Sequence, residues 1–498
     1  MTLGAGCPRE AELAGTVGSE VLMLTEHRPS SSPGRQSPGS MAGRVAAVVL
    51  VAVGTVIAAF LAQSWTVIIL VGLALATVVG VMMLARNPDL LVPIALGSMW
   101  IEALGVGPIT VGRIVAFLVP VVLLARVLTT SWRPPQLMPR SWVPLMGLVT
   151  WAWCGAFYAE QFGVWFNGFL ILMLGVSYWF VFALLLPPSD VLDRYLRLWT
   201  YQGSFIGVLS VIAFFVFGGG EGKRVTGLAG GPNEYAAYII ASLMIMVYLL
   251  GRSEPRQRLI LFACCGVQVV ALGASGSRMG LVLMAAIAAY LVLTYPGLGI
   301  ARRLWAGVGG MLGGVVFYFL LLIINPDRFS LAGIASDRGA GRLDLWAAGI
   351  DSLTENLWFG RALGGFRASA YELLQRTSGA SLDVLRQESF LKQGGAESHN
   401  LYLTIGIDLG LIGFVLYLGL VLVSLWNLRS NPGRIDKSLS WALFGVLAAV
   451  MIGNFFGSQL NNKLQWSIIG IASGLWVRQR LVSTVSERGS PGGVDAHR

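Results

Sequence analysis

Apolar runs of bilayer length follow one another through almost the whole chain. A helix needs about 20 mostly apolar residues to cross a hydrocarbon core. Lipid cannot satisfy irregular backbone, so each run is read as a spanning helix. The runs fall near residues 44–62, 66–85, 89–103, 109–127, 142–158, 168–186, 199–218, 235–251, 258–274, 279–295, 303–324, 400–427, 439–457 and 464–477. That is about fourteen helices, the third and last being the shortest. With 55% hydrophobic and 12% charged residues and a mean hydropathy of +0.71, the composition excludes an ordinary water-soluble domain. The expected fold is an all-α, polytopic transmembrane bundle of about 12–14 spans with one long extracytoplasmic loop.

The formal charge of +10 raises nucleic acid as a partner. The arginines, however, gather in short segments between apolar runs, as membrane orientation requires, and nucleic acid is discarded. With the N-terminus cytoplasmic, the even-numbered loops carry Arg86, Arg133, Arg140, Arg194, Arg197, Arg252, Arg256, Arg258, Arg302, Arg303, Arg429, Arg434 and Lys437. The short odd-numbered loops carry little beyond Lys223, Arg224, Arg278 and Lys463. One missed helix would invert every later loop, so the steady bias supports the count as well as the orientation.

The expected organisation is a disordered cytoplasmic tail over 1–43, an N-terminal membrane bundle over 44–324, an extracytoplasmic loop over 325–398, C-terminal membrane helices over 399–480 and a cytoplasmic tail over 481–498. Met41-Ala-Gly-Arg44 also reads as an alternative chain start, which would make the first tail an artefact of the gene boundary. In the long loop, Arg342–Leu353 places Leu345, Trp346, Ile350 and Leu353 on one helical face, and Phe366–Leu374 does the same with Phe366, Ala370, Tyr371 and Leu374. Both are expected as amphipathic helices on the outer membrane surface or the bundle mouth.

Few residues can carry chemistry. Of three histidines, His27 and His497 lie in the tails; only His399 stands where the long loop enters a membrane helix. It is read two ways, as a structural side chain or as a base that titrates near neutral pH. Arg278 opens a span on the outer side, against the charge bias; it is either a snorkelling anchor or a contact for an anion. Arg342 and Arg338 are either solvated charge or a small cationic cluster. The stretch Gly227-Leu-Ala-Gly-Gly-Pro-Asn-Glu-Tyr235 is either a loop with Asn233 as helix cap or a backbone cradle for phosphate. The four cysteines lie outside the long loop. No metal-ligand spacing is present, and neither metal nor cofactor is expected.

Taken together these pieces resemble the O-antigen ligase and polymerase superfamily of bacterial membrane glycosyltransferases. The resemblance rests on Ser277-Arg278, Gly341-Arg342 to Trp346, the turn Phe359-Gly-Arg-Ala-Leu-Gly-Gly-Phe366, and Ser398-His-Asn-Leu-Tyr-Leu403 followed by Gly410 and Gly413. It spans roughly residues 200–430. The sequence departs from the family turn, Pro-x-x-Gly-x-Gly, at Leu357 and Ala362.

The resemblance implies a glycan donor on polyprenyl diphosphate, transferred with inversion and without metal to a hydroxyl acceptor on a lipid, wall polymer, protein or second glycan. It implies that Arg278 and Arg342, with Arg338, hold the diphosphate and that His399 activates the acceptor. Asn233, Trp346, Asn400 and Tyr402 are expected as contacts to donor or acceptor. The implied place is the outer face of the bacterial cytoplasmic membrane, among its lipids. A polymerase in the same fold is the alternative. A transporter or flippase is the third reading, disfavoured because few charges lie mid-span and no internal repeat is present.

Overall fold

The computed structural model describes residues 77–106, 109–129, 138–217, 225–295, 299–324, 342–376, 398–430, 437–457, 460 and 462–489. The expected first span, the N-terminal tail, Arg338 and much of the long loop lie outside these residues. Within them the protein is an all-α helical bundle. The helices are α1 (Thr77–Arg86), α2 (Leu91–Trp100), α3 (Val111–Thr129), α4 (Trp142–Cys154), α5 (Phe162–Leu184), α6 (Ser189–Phe217), α7 (Pro232–Leu250) and α8 (Pro255–Ser275). They continue as α9 (Arg278–Thr294), α10 (Ile300–Ile324), α11 (Arg342–Glu355), α12 (Gly365–Arg376), α13 (Leu401–Arg429), α14 (Lys437–Gly453) and α15 (Lys463–Gly489). A two-residue antiparallel hairpin, Gly105–Val106 with Ile109–Thr110, turns the chain from α2 into α3.

Every apolar run that falls within the described residues coincides with a helix. Among the described residues, six helices are long and apolar enough to cross a membrane: α3, α5, α6, α7, α8 and α13. A seventh span is formed if α1 and the helix from Pro88 are taken together, bent by 107°. The bend follows from Asn87-Pro88, because proline disfavours helix at the residue before it. Three shorter apolar helices, Trp142–Phe157, Arg278–Thr294 and Lys437–Gly453, complete the apolar set. The last helix runs to Gly489, past the boundary expected at 480.

Close packing of α5 on α15 ties the last described helix to the first half of the chain. A Cβ on Gly470 would stand 2.7 Å from the Trp179 carbonyl oxygen, and one on Gly474 2.6 Å from that of Phe182. Only small residues let two helix backbones approach this closely. Trp466 lies over Gly175 on the same seam and donates to the Leu460 carbonyl.

Helix α13 is broken at Gly410, whose φ of 66° and ψ of −171° are not helical. The turn between α11 and α12 fills the break. Leu411 N–H donates to the Leu357 carbonyl (2.7 Å), Arg361 N–H to that of Ile407 (2.8 Å), and the Trp151 indole to that of Leu409 (2.8 Å). The backbone groups released by the break thus find partners in the protein, as apolar surroundings demand. A Cβ at Gly410 would lie 2.2 Å from the Trp358 oxygen, and one at Gly360 2.6 Å from that of Asp408.

Both loop helices form as expected and rest on the bundle. Leu345, Ala348, Phe366, Ala370, Leu373 and Leu374 make a small core with Ile407 of α13. One face differs from expectation: Ile350 is 54% exposed, while Ala348, Gly349 and Ser352 are buried. The small residues win because Gly349 seats α11 directly on Leu403 and Ile407.

Candidate functional site

A cavity of about 380 Å³ opens among the ends of the helices. Thr110 and Arg113 line it from the start of α3, Val164 and Asn167 from the start of α5, and Gly230 and Glu234 from the start of α7. Ser398 and Thr404 face it at the start of α13, and Asn462 at the start of α15. Glu102 follows α2, and Phe366 and Arg367 come from α12. These membrane helices all begin at the cavity, whereas α2 ends there. That is the alternation expected of runs 3, 4, 6, 8, 12 and 14, and the end they share is the one read from sequence as outer.

His399 follows Ser398, which lines the cavity, and is itself exposed. Its φ of 50° is left-handed, a conformation that non-glycine residues seldom hold. Several bonds fix the turn. The Trp346 indole donates to the Ser398 carbonyl at 2.8 Å, so α11, which begins at Arg342, is fastened to the residue before His399. The Ser398 hydroxyl and the Thr404 hydroxyl are 2.6 Å apart. Asn400 caps α13, its Oδ1 accepting from Tyr402 N–H (3.1 Å) and Leu403 N–H (3.2 Å). Tyr402 donates to the Met451 carbonyl at 2.7 Å, and Leu401 N–H donates to the Asn454 carbonyl at 2.8 Å. The Asn454 side chain belongs to a buried network: its Nδ2 donates to Gln465 Oε1 (2.8 Å), and Gln465 Nε2 donates to the Tyr417 hydroxyl (2.8 Å). Trp346, Asn400 and Tyr402 therefore act on the shape of the His399 turn.

Arg278 begins α9, where Ser277 caps the helix by accepting from Gly280 N–H at 3.1 Å. The Ser277 hydroxyl also donates to Asn233 Oδ1 at 2.8 Å. This corrects the reading of Asn233 as a helix cap: Gly231 is the N-cap of α7, and Asn233 lies in the first turn, pinning the start of α9. Asn233, Met279 and Asn454 border a second, smaller cavity that shares Glu234 and Asn462 with the large one. Met279, next to Arg278, thus lines the smaller cavity, and Ser398, next to His399, lines the larger.

Several site residues carried no motif. Asp408 is 5% exposed and takes Gly364 N–H (2.8 Å) and Phe366 N–H (3.1 Å), so it caps α12, whose first turn carries Arg367. Lys463, 1% exposed, makes an ion pair with Glu102 and lies 5.9 Å from the centre of the Tyr178 ring. Arg361 bonds Ser352 (2.8 Å) and pairs with Glu160 (3.3 Å) and Glu355, bracing the turn against α11. The available signal was polarity at span ends: Asn167 opens an apolar run, and Lys463 breaks the charge bias just as Arg278 does.

No curated protein matches the chain. Residues 260–418 match the family model described as O-antigen ligase. The matched stretch holds Arg278, Arg342 and His399, the loop helices and the break in α13.

Proposed function

We propose that the protein is a glycosyltransferase that moves a glycan from polyprenyl diphosphate to an acceptor hydroxyl on the outer face of the bacterial cytoplasmic membrane. The observation that carries this reading is the Ser398-His399-Asn400 turn. His399 is exposed in it and Ser398 lines the cavity, and the turn is tied to the Arg342 helix through Trp346 and to the membrane core through Asn454. A loop that served only to connect spans would not need its last residues fixed from two sides.

In this reading His399 takes the proton from the acceptor hydroxyl, and the acceptor oxygen bonds to the anomeric carbon with inversion. The bond from that carbon to the phosphate oxygen breaks, and the electron pair leaves with the lipid diphosphate. Arg278 and Arg342 bind that diphosphate and stabilise its growing charge, so the step calls for no metal. A positioned base contributes roughly 10²–10⁴-fold. Arg338 adds charge from outside the described residues.

The test is membranes carrying wild type, His399→Ala, Arg278→Ala or Arg342→Ala at matched expression, with and without EDTA. The expected result is that each variant accumulates lipid-linked glycan and loses product while EDTA changes nothing; product length then separates single transfer from polymerisation. Full transfer by all three variants would overturn the reading.

A further inference from the structure

We propose that the end of the bundle opposite the cavity carries a site for the headgroup of an anionic phospholipid, built from Arg140, Trp476 and Arg480. Trp476 stands about 20 Å along α15 from Lys463, the residue that opens the helix beside the cavity. The site is therefore separate from the cavity and does not rest on the transferase reading.

The arginines around Trp476 are used differently. Arg478, half-buried, is engaged inside the protein: it donates to the Ser189 hydroxyl (3.2 Å) and to the carbonyls of Leu186 (3.4 Å) and Pro187, just past the end of α5. Arg140 and Arg480 are exposed, and both guanidinium groups lie over the Trp476 ring, 5.7 Å and 5.6 Å from its centre. An indole face attracts a cation without neutralising it. Two positive charges are thus gathered around one ring, and Arg140 has no ion pair or side-chain hydrogen bond among the described residues.

The place of Arg140 is fixed. Ser141, buried next to it, shares a hydrogen bond with the Ser473 hydroxyl of α15 (2.6 Å), which also accepts from the Trp179 indole (3.2 Å). Trp142 packs on Trp179 and Phe180, with ring centres 5.8 Å and 5.9 Å apart. An arginine that only set membrane orientation would act from any position in its loop. This one is brought from a separate segment onto a ring of α15, so the two cations are pre-organised and less freedom is lost when an anion binds.

The surroundings favour a lipid over a free anion. An indole at the end of an apolar span is characteristic of headgroup level. Met138 and Val143, on either side of Arg140 in the chain, are 51% and 76% exposed and offer apolar surface to acyl chains. Two guanidinium groups suit the oxygens of one phosphodiester. The charge bias predicts that this end is cytoplasmic, where anionic headgroups attract arginines.

The test is native mass spectrometry of the full-length protein in detergent, titrated with dioleoyl phosphatidylglycerol, dioleoyl phosphatidylcholine or inorganic phosphate. For the first lipid bound, wild type should prefer phosphatidylglycerol by about tenfold or more, and an equal concentration of phosphate should not displace it. Arg140→Gln and Arg480→Gln should each weaken phosphatidylglycerol by roughly fivefold and leave phosphatidylcholine unchanged. Arg140→Lys, which keeps the charge and loses the planar fork, should fall between. Arg256→Gln, exposed at the start of α8, is the control and should change neither lipid. If the two lipids bind equally, if phosphate displaces the lipid, or if Arg256→Gln costs as much as Arg140→Gln, the proposal is wrong.

Discussion

Ala362 holds a φ of 63° in the turn that fills the break of α13, where the family pattern places a glycine. A left-handed L residue costs roughly 1–2 kcal/mol, while glycine loses more freedom on folding. Ala362→Gly should therefore raise stability slightly, by up to about 1 kcal/mol, in thermal unfolding in detergent. A fall in stability would show that its buried methyl outweighs the strain. Asn454→Ala leaves the backbone bond to Leu401 but removes the side chain from the Gln465 and Tyr417 network. Its expected cost is about 1–3 kcal/mol, with reduced transfer as the His399 turn loosens. His399 and Arg278 stand out in the sequence as candidates because each breaks a pattern, one as the only histidine outside the tails and one as an arginine against the charge bias. Asn167, Arg367 and Glu234 do not, since a single polar residue near a helix end looks the same whether it faces water, lipid headgroups or a ligand.

Elements were read more fully than residues, because hydrocarbon leaves the backbone little choice. The pairing of the loop turn with the broken α13 was hidden: it joins Leu357 to Leu411 and Arg361 to Ile407, and no local periodicity reports such contacts. Gly410→Ala would drive its Cβ into the Trp358 carbonyl, at 2.2 Å. It should cost at least about 2 kcal/mol and lower transfer by disturbing Asp408 and the start of α12. The Glu102–Lys463 pair gives a sharper test of element packing. Lys463→Met leaves Glu102 beside an apolar neighbour and should destabilise by about 3 kcal/mol; adding Glu102→Gln should recover most of it. Equal instability of the single and double variants would mean that Lys463 matters for packing alone.

At the scale of the molecule, α3, α5, α7, α13 and α15 all begin at one end, and the charge bias predicts that this end is extracytoplasmic. In a cysteine-free background, a cysteine at Glu355 should react with an impermeant maleimide in intact cells, and one at Arg256 only after permeabilisation. The reverse pattern would invert the topology. The central claim is tested most directly by purified protein in proteoliposomes with labelled lipid-linked glycan and excess acceptor. Wild type should form product with inverted anomeric configuration, and His399→Ala should be slower by roughly 10²-fold or more with donor binding retained. Retained configuration, or a His399→Ala rate equal to wild type, would contradict the account.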